Sequence, residues 1–341
     1  MAKGRSPIVW CALSAALFGA STPASKALLE QLSPWFLAGL LYAGAAVAVA
    51  PWALRERRRW RSIDRRSWLR LLGAVGFGGV LGPVLLMFGL SLAPAGSVAL
   101  WLNLETVATA LLARWFFKEH LHAPTWIAVG LVVAASALLS PGTLNGGVAA
   151  VLVACACVSW GLDNNLTAVL DRFSPAEVTF AKGVGAGALN IALGLALESP
   201  SFEAPDIGLA LGLGAVSYGI SLLLYIAGAQ QLGATRSQLI FSTAPIWGLV
   251  FAWTALSEPM EWQQLLAAGI MTTAIWLFYG ERHEHEHTHE AVTHRHWHRH
   301  DDGHHDHDHP QGDTWHSHEH THEPVTHSHR HRPDLHHRHG H

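Results

Sequence analysis

Glu105 is an acidic residue in the middle of an otherwise apolar run, 95–117, with Asn103 and Thr106 beside it. An ionisable group in such a setting costs at least a few kcal/mol unless it faces protein or water. A carboxylate there therefore points to uptake and release of a proton, or to recognition of a substrate amine. The competing reading is a Glu hydrogen-bonded between helices only to fix their packing. Lys182, the eighth residue of the apolar run 175–197, is the electrostatic complement. It either pairs with Glu105 or receives a substrate carboxylate, unless its long stem carries the charge to the interface. Asp163, Asn164 and Asn165 form a polar cluster after Trp160-Gly161, and polar side chains within such a run need partners. Arg236, Gln238, Ser242 and Thr243 cannot all share one helix face, but Gln238 and Ser242 stand one turn apart. Trp10, Trp101 and Tyr225 have the shape to wall a mostly apolar ligand site, or serve as packing and interfacial anchors. Within these runs no nucleophile–base pair or metal motif occurs, so catalysis is not expected and no cofactor is required.

A second chemistry lies at the C-terminus. Of 25 histidines, only His120 and His122 precede Arg282. From there histidine alternates with Glu, Asp, Thr, Ser or Arg: His283, His285, His287 and His289, then His305, His307 and His309, then His316, His318 and His320, and finally His336 and His337. Imidazole suits zinc, nickel, cobalt and copper, and the interleaved carboxylates widen the choice. Binding of several ions with little selectivity is expected, weakening below about pH 6.5 as imidazoles protonate. Aliphatic residues are too few to bury a core, so the tail is expected to be disordered. The plainer alternative is a polar, solvating tail.

The elements that must position these groups follow from composition. The 341 residues are 50% hydrophobic and only 14% charged, whereas a soluble domain scatters about a quarter of its residues as charges. Apolar runs of about 20 residues, enough to cross a bilayer, succeed one another at 7–29, 34–54, 68–90, 95–117, 124–139, 147–171, 175–197, 207–229, 234–256 and 262–279. Backbone groups in lipid must be satisfied within their own segment, which makes these runs helices. The expected fold is an all-α integral membrane protein of ten transmembrane helices. Lys3 and Arg5 before an apolar stretch also suit a signal peptide, but the repeat described next needs that stretch as its first helix. Cys11, Cys155 and Cys157 lie in apolar runs and read as small buried hydrophobes.

Orientation is read from lysine and arginine. The loop after the second run holds Arg55, Arg57, Arg58, Arg59, Arg61, Arg65 and Arg66, and later loops on that side hold Lys118, Arg172 and Arg236, whereas 198–206 is acidic. Lys26 is the exception. The rule places the N-terminus and, after ten crossings, the His-rich C-terminus in the cytoplasm of a multi-pass plasma-membrane protein. Partners are then the lipid bilayer, a small-molecule substrate, transition-metal ions on the tail and a second copy in a homodimer, with no nucleic acid.

The chain also repeats itself. Gly19 and Ser33-Pro34 match Trp160-Gly161 and Ser174-Pro175, and further along Ala95, Glu119 and Gly130 match Ala234, Glu258 and Gly269. The units are 1–140 and 147–280, with the tail at 281–341. An odd number of spans in each unit forces the two copies into opposite orientations, as in secondary transporters. Glu119 and Glu258 sit where helices end, which suits helix termini or interhelical contacts better than substrate.

These motifs resemble the EamA proteins of the drug/metabolite transporter superfamily over 7–279. The resemblance rests on Trp160-Gly161, Ser-Pro before the second and seventh helices, Asn103-Leu104-Glu105, Pro245, and Glu119 and Glu258 each followed eleven residues later by glycine. Thr106, where the family often has proline, and Leu41, where arginine is common, depart from it. The resemblance implies export or exchange of small metabolites such as amino acids, driven by an ion gradient and by alternating access. Two other readings stand beside it: export of divalent nickel, cobalt or zinc, and a membrane-anchored metal sensor or store without transport.

Overall fold

The computed structural model describes residues 5–56, 63–117, 123–139, 144–167, 170, 173–198, 203–225 and 240–280, and the backbone of 283–289, 292–298, 316–322 and 325–331. Helices stand at each of the ten expected places. The first repeat is α1 (Arg5–Gly19) and α2 (Ser21–Leu28), α3 (Pro34–Glu56), α4 (Arg65–Ala74) running through a π-helical segment (Val75–Leu81) into α5 (Gly82–Leu92), α6 (Ala95–Trp101) and α7 (Leu104–Phe117), and α8 (Ala123–Leu138). The second is α9 (Leu144–Thr167), α10 (Pro175–Leu197), α11 (Ala204–Gly214) with its own π-helical segment (Ala215–Ile220), α12 (Ala244–Ala255) and α13 (Trp262–Gly280). Seven of these stretches are long and apolar enough, by themselves, to cross a membrane.

Local chemistry sets the starts. Ser174 and Glu177 form a reciprocal capping box on α10, with Pro175 in its first turn, which satisfies donors that a helix start leaves orphaned. Asp64 accepts from the Arg66 and Ser67 amides to open α4. Outward surfaces are apolar: Val47, Leu72, Trp115 and Trp276 are all exposed, as lipid rather than water as solvent requires.

The packing has a two-fold logic. α3 lies along α10 and α8 against α13, each element meeting its counterpart in the other repeat, and α6 of the fourth span packs against α12 of the ninth. Where a pairing is not with the counterpart, it is exchanged: α7 packs on α9 as α12 packs on α1, and the first π segment touches α10 and α9 as the second touches α3 and α1. A two-fold axis in the membrane plane generates such exchanges. α3 and α10 approach backbone to backbone: a Cβ on Gly187 would lie 3.0 Å from Ala43 N, and one on Gly194 would lie 2.8 Å from Phe36 N. Without a hydrophobic drive between helices in lipid, small residues that permit such contact supply the attraction.

Two features depart from the sequence reading. The fourth span is not one helix but breaks at Leu102–Asn103, and the ninth breaks at Ser242–Thr243. Both third and eighth spans carry π-helical turns. In the tail the described backbone runs as strands β1 (His283–His289), β2 (Val292–His298), β3 (His316–His322) and β4 (Val325–His331). β1 pairs antiparallel with β4 and β2 with β3. The strict alternation of histidine with another residue has the period of two that an extended backbone repeats. The register sets His285 opposite His329 and His296 opposite His318.

Candidate functional site

The breaks create the site. At the first, the Asn103 amide bonds back only three residues to Leu100 O (3.1 Å), and the Asn103 side-chain Nδ2 donates to the same carbonyl (3.1 Å). At the second, Thr243 N (3.1 Å) and Thr243 Oγ1 (2.6 Å) both donate to Ile240 O. Irregular backbone at this depth survives only where protein or a polar cavity satisfies it, and a side chain three residues on meets that need in both repeats.

A cavity opens between the two breaks. It is lined by Leu102, Asn103, Glu105 and Thr106 from the first repeat, by Phe241, Ser242, Ala244 and Pro245 from the second, and by Phe18, Gly19 and Thr22 of the first span. The two sets of four are the same positions displaced by 139 residues, so the cavity sits on the pseudo-two-fold axis. The symmetry is broken in charge: Glu105 stands where the other repeat has Ala244. The aromatic wall continues beyond the cavity as a chain of ring contacts, with Tyr225 on Phe241 (4.9 Å between centroids), Phe241 on Phe18 (5.4 Å), Phe18 on Tyr218 (5.6 Å) and Tyr218 on Tyr42 (5.6 Å).

Glu105 takes its hydrogen bond from an amide, not from a cation: Asn164 Nδ2 donates to Glu105 Oε1 at 2.9 Å and also reaches Thr109 Oγ1 at 3.2 Å. Asn165 Nδ2 donates to Thr109 O (3.2 Å) and Gly161 O (2.8 Å), which fixes α9 against α7. The Lys182 ammonium is engaged elsewhere. It lies 2.6 Å from Asp163 Oδ1 and 2.7 Å from Oδ2, and Thr167 Oγ1 donates to Asp163 Oδ1 at 3.0 Å. The hydrogen-bonded partner of Lys182 is thus Asp163 on the neighbouring helix, and not Glu105.

Gly78 in the first π segment underlies this pair. A Cβ there would meet the Asp163 carboxylate at less than contact distance. The Gly78 carbonyl accepts from both Tyr42 OH (2.6 Å) and Trp160 Nε1 (3.0 Å). π turns recur at functional sites because they offer carbonyls to partners outside the helix.

Among the expected site residues, Glu105, Asn103 and Ser242 line the cavity, and Asn164, Asp163 and Lys182 stand directly behind it. Tyr225 reaches it through Phe241. Trp10 is partly buried near the start of α1 and is not among the lining residues. Trp101 is buried and donates to Ser136 O (3.0 Å), a packing role. Gln238, with Arg236, lies outside the described residues, as do His305, His307, His309, His336 and His337. For His283, His285, His287, His289, His316, His318 and His320 only the backbone is described. The sequence reading did not single out Phe18, Thr22, Thr109 or Phe241. Two signals were available: the 139-residue offset applied to 102–106, and the repeated string Gly73-Ala74-Val75, then Phe77-Gly78, against Gly214-Ala215-Val216, then Tyr218-Gly219, which marks both π segments.

Comparison with known proteins agrees with this architecture. The chain is 27% identical over 288 residues to an uncharacterized transporter of Methanothermobacter thermautotrophicus, covering 77% of this chain and 82% of that one. It is 25% identical over 292 residues to an uncharacterized transporter of Synechocystis sp., covering 76% and 86% respectively. A protein known from a crystal structure superposes with a TM-score of 0.60 at 16% identity, over 80% of this chain and 98% of its own, a likeness of fold. The EamA-like transporter model matches twice, at residues 5–140 and 147–280. Two matching halves, broken helices facing one another and a shared cavity place this chain in the EamA-like transporter family.

Proposed function

We propose that the chain is a secondary carrier of a small metabolite, an exporter or exchanger, that alternates access to the cavity on its pseudo-two-fold axis. The observation that carries this reading is Glu105. It is the only ionisable residue in the described lining of the cavity, it stands where the symmetry-related position is Ala244, and its direct partner is the Asn164 amide. A carboxylate so held is available to a proton or to a substrate amine, and Phe18 and Phe241 offer apolar surface to the rest of a solute. Coupling to a proton gradient follows if release of the proton and release of the solute alternate at that carboxylate. Amino acids are the first solutes to try. The proposal includes ten crossings, with the N-terminus and the tail both cytoplasmic, in the plasma membrane.

The tail enters as a cytoplasmic reservoir for zinc, nickel, cobalt or copper attached to the carrier. The density of histidines, at every second residue and at paired positions of the ladders, supports it. Transport itself then requires no bound metal.

The test is uptake into proteoliposomes, comparing amino acids and other small metabolites with nickel and zinc. Glu105→Gln is expected to abolish gradient-driven flux, and truncation after Gly280 to leave basal flux intact. Gradient-coupled flux retained in Glu105→Gln would refute the assigned role. Metal flux that disappears with the tail would favour the divalent-metal exporter instead. Tight metal binding without flux of any solute would favour the sensor or store.

A further inference from the structure

On one face of the molecule three corners are pinned together by two charged side chains that the cavity does not use. Glu258 follows α12 and belongs to the second repeat, yet its carboxylate caps the first repeat: Ala95 N donates to Oε1 (2.7 Å) and Gly96 N to Oε2 (3.0 Å). These are the first amides of α6, whose preceding residue, Pro94, offers no side-chain cap. An anion at a helix start satisfies orphan donors and the helix dipole together. Lys26, at the end of the first span, does the converse on the same corner. Its Nζ donates to Leu90 O (2.7 Å), Ala93 O (3.0 Å) and Ser91 O (3.4 Å) where α5 ends. Lys26 and Glu258 are also near enough to attract one another.

The end of α12 presents this carboxylate. Ser257, with φ of 53°, is the positive-φ non-glycine residue among those described, and it turns the chain directly before Glu258. Glu258 N donates back to Ala252 O (3.2 Å), so the left-handed residue closes the helix, as such residues commonly do. Gln264 braces the same corner by accepting from Trp253 Nε1 (2.9 Å). Beneath the clamp the first, fourth and ninth spans meet at two glycines and an alanine. A Cβ on Gly248 would lie 2.8 Å from Ala99 Cβ and 3.1 Å from Gly19 O. Gly19 and Ala99 also line the cavity of Glu105, so this contact is the cavity's wall toward the two charged side chains.

We propose that Glu258 and Lys26 form a latch between the repeats that holds the cavity closed on the face of the α5–α6 and α12–α13 corners, and that it must release for solute to pass there. The proposal rests on the carrier reading for its purpose but not for its test. Both residues are far from Glu105 in role: they bind backbone, not solute. The latch also accounts for Lys26, the exception to the charge rule, whose ammonium is consumed by three carbonyls.

The experiment places a single cysteine at Thr22, a cavity-lining position, in the full-length chain with Cys11, Cys155 and Cys157 replaced by serine. Its labelling by a membrane-impermeant maleimide is followed in right-side-out and inside-out vesicles. Glu258→Gln and Lys26→Gln are each expected to raise the rate from the latch face about fivefold or more and to lower it from the other face. Asp64→Ala, which removes a helix cap outside the latch, is expected to leave both rates unchanged. Should Glu258→Gln and Glu258→Ala both elute as folded protein with unaltered labelling from either face, the latch is wrong. A rate that rises equally from both faces is also against it, since that reports a loosened fold. Solute flux measured in the same vesicles is a separate readout: one-sided labelling changes without flux of any solute would keep the latch and remove the carrier.

Discussion

Asp163 and Lys182 show how a polar residue inside a span is tolerated. Each charge removed from water is costly, and only the partner makes it bearable. Asp163→Asn leaves the Lys182 ammonium without its counter-charge in a partly buried site, and is expected to destabilise the protein by about 3–5 kcal/mol. Adding Lys182→Met should recover most of that loss, as read from the unfolding midpoint in detergent. An additive penalty in the double variant would mean that the two residues do not act as a pair. Gly78→Ala drives a methyl group into the Asp163 carboxylate and should cost about 1–3 kcal/mol by overpacking. At this scale the sequence discloses which residues are anomalous but not which way they turn. Glu105, Asn103 and Ser242 stand out because they are polar among apolar neighbours. The partner of Lys182 was left open between Glu105 and solute, because depth along a helix says nothing of azimuth and Asp163 lies one helix away.

Helix breaks are the part of the architecture that hydropathy hides. Leu102 and Phe241 continue the apolar run on either side, so a window average passes through both breaks without a dip. The signature is chemical: Asn103 and Thr243 are side chains able to occupy a carbonyl three residues back, and each does. Asn103→Leu removes one of the two donors to Leu100 O and leaves the residue's own amide on it, at a cost of about 0.5–1.5 kcal/mol for the lost hydrogen bond. Because Asn103 itself lines the cavity beside Glu105, the same variant should impair solute binding more than it impairs turnover. Flux kinetics that show a reduced maximal rate with an unchanged half-saturating concentration would contradict this. The π segments are equally silent in hydropathy, but the doubled Gly-Ala-Val string marks them. Gly76 faces open space, so its deletion removes one residue from the wide turn without a clash. The turn should relax to an ordinary helix, rotate Gly78 O away from Tyr42 and Trp160, and abolish flux in a protein that still folds.

The proposed ten crossings make two five-span halves set in opposite senses, and on that proposal charge is what sets them. Flanking lysine and arginine fix each hairpin against the cytoplasmic side, and here most of that signal is concentrated between the second and third spans, at Arg55, Arg57, Arg58, Arg59 and Arg61. The other loops on that side contribute a residue or two each. The first half therefore carries most of the orienting information, and the second half, with Arg172 and Arg236, follows by packing α3 on α10 and α6 on α12. Cysteines placed at Trp60 and at His294 should label from one side of the membrane, and one at Ser201 from the other. Replacing Arg57, Arg58, Arg59 and Arg61 by alanine should yield a mixed population in which all three positions label from both sides together, because the halves interlock and invert as a unit. If only the Trp60 position changes side while Ser201 and His294 keep theirs, the halves insert independently. The two-fold packing would then be a consequence of insertion and not its cause.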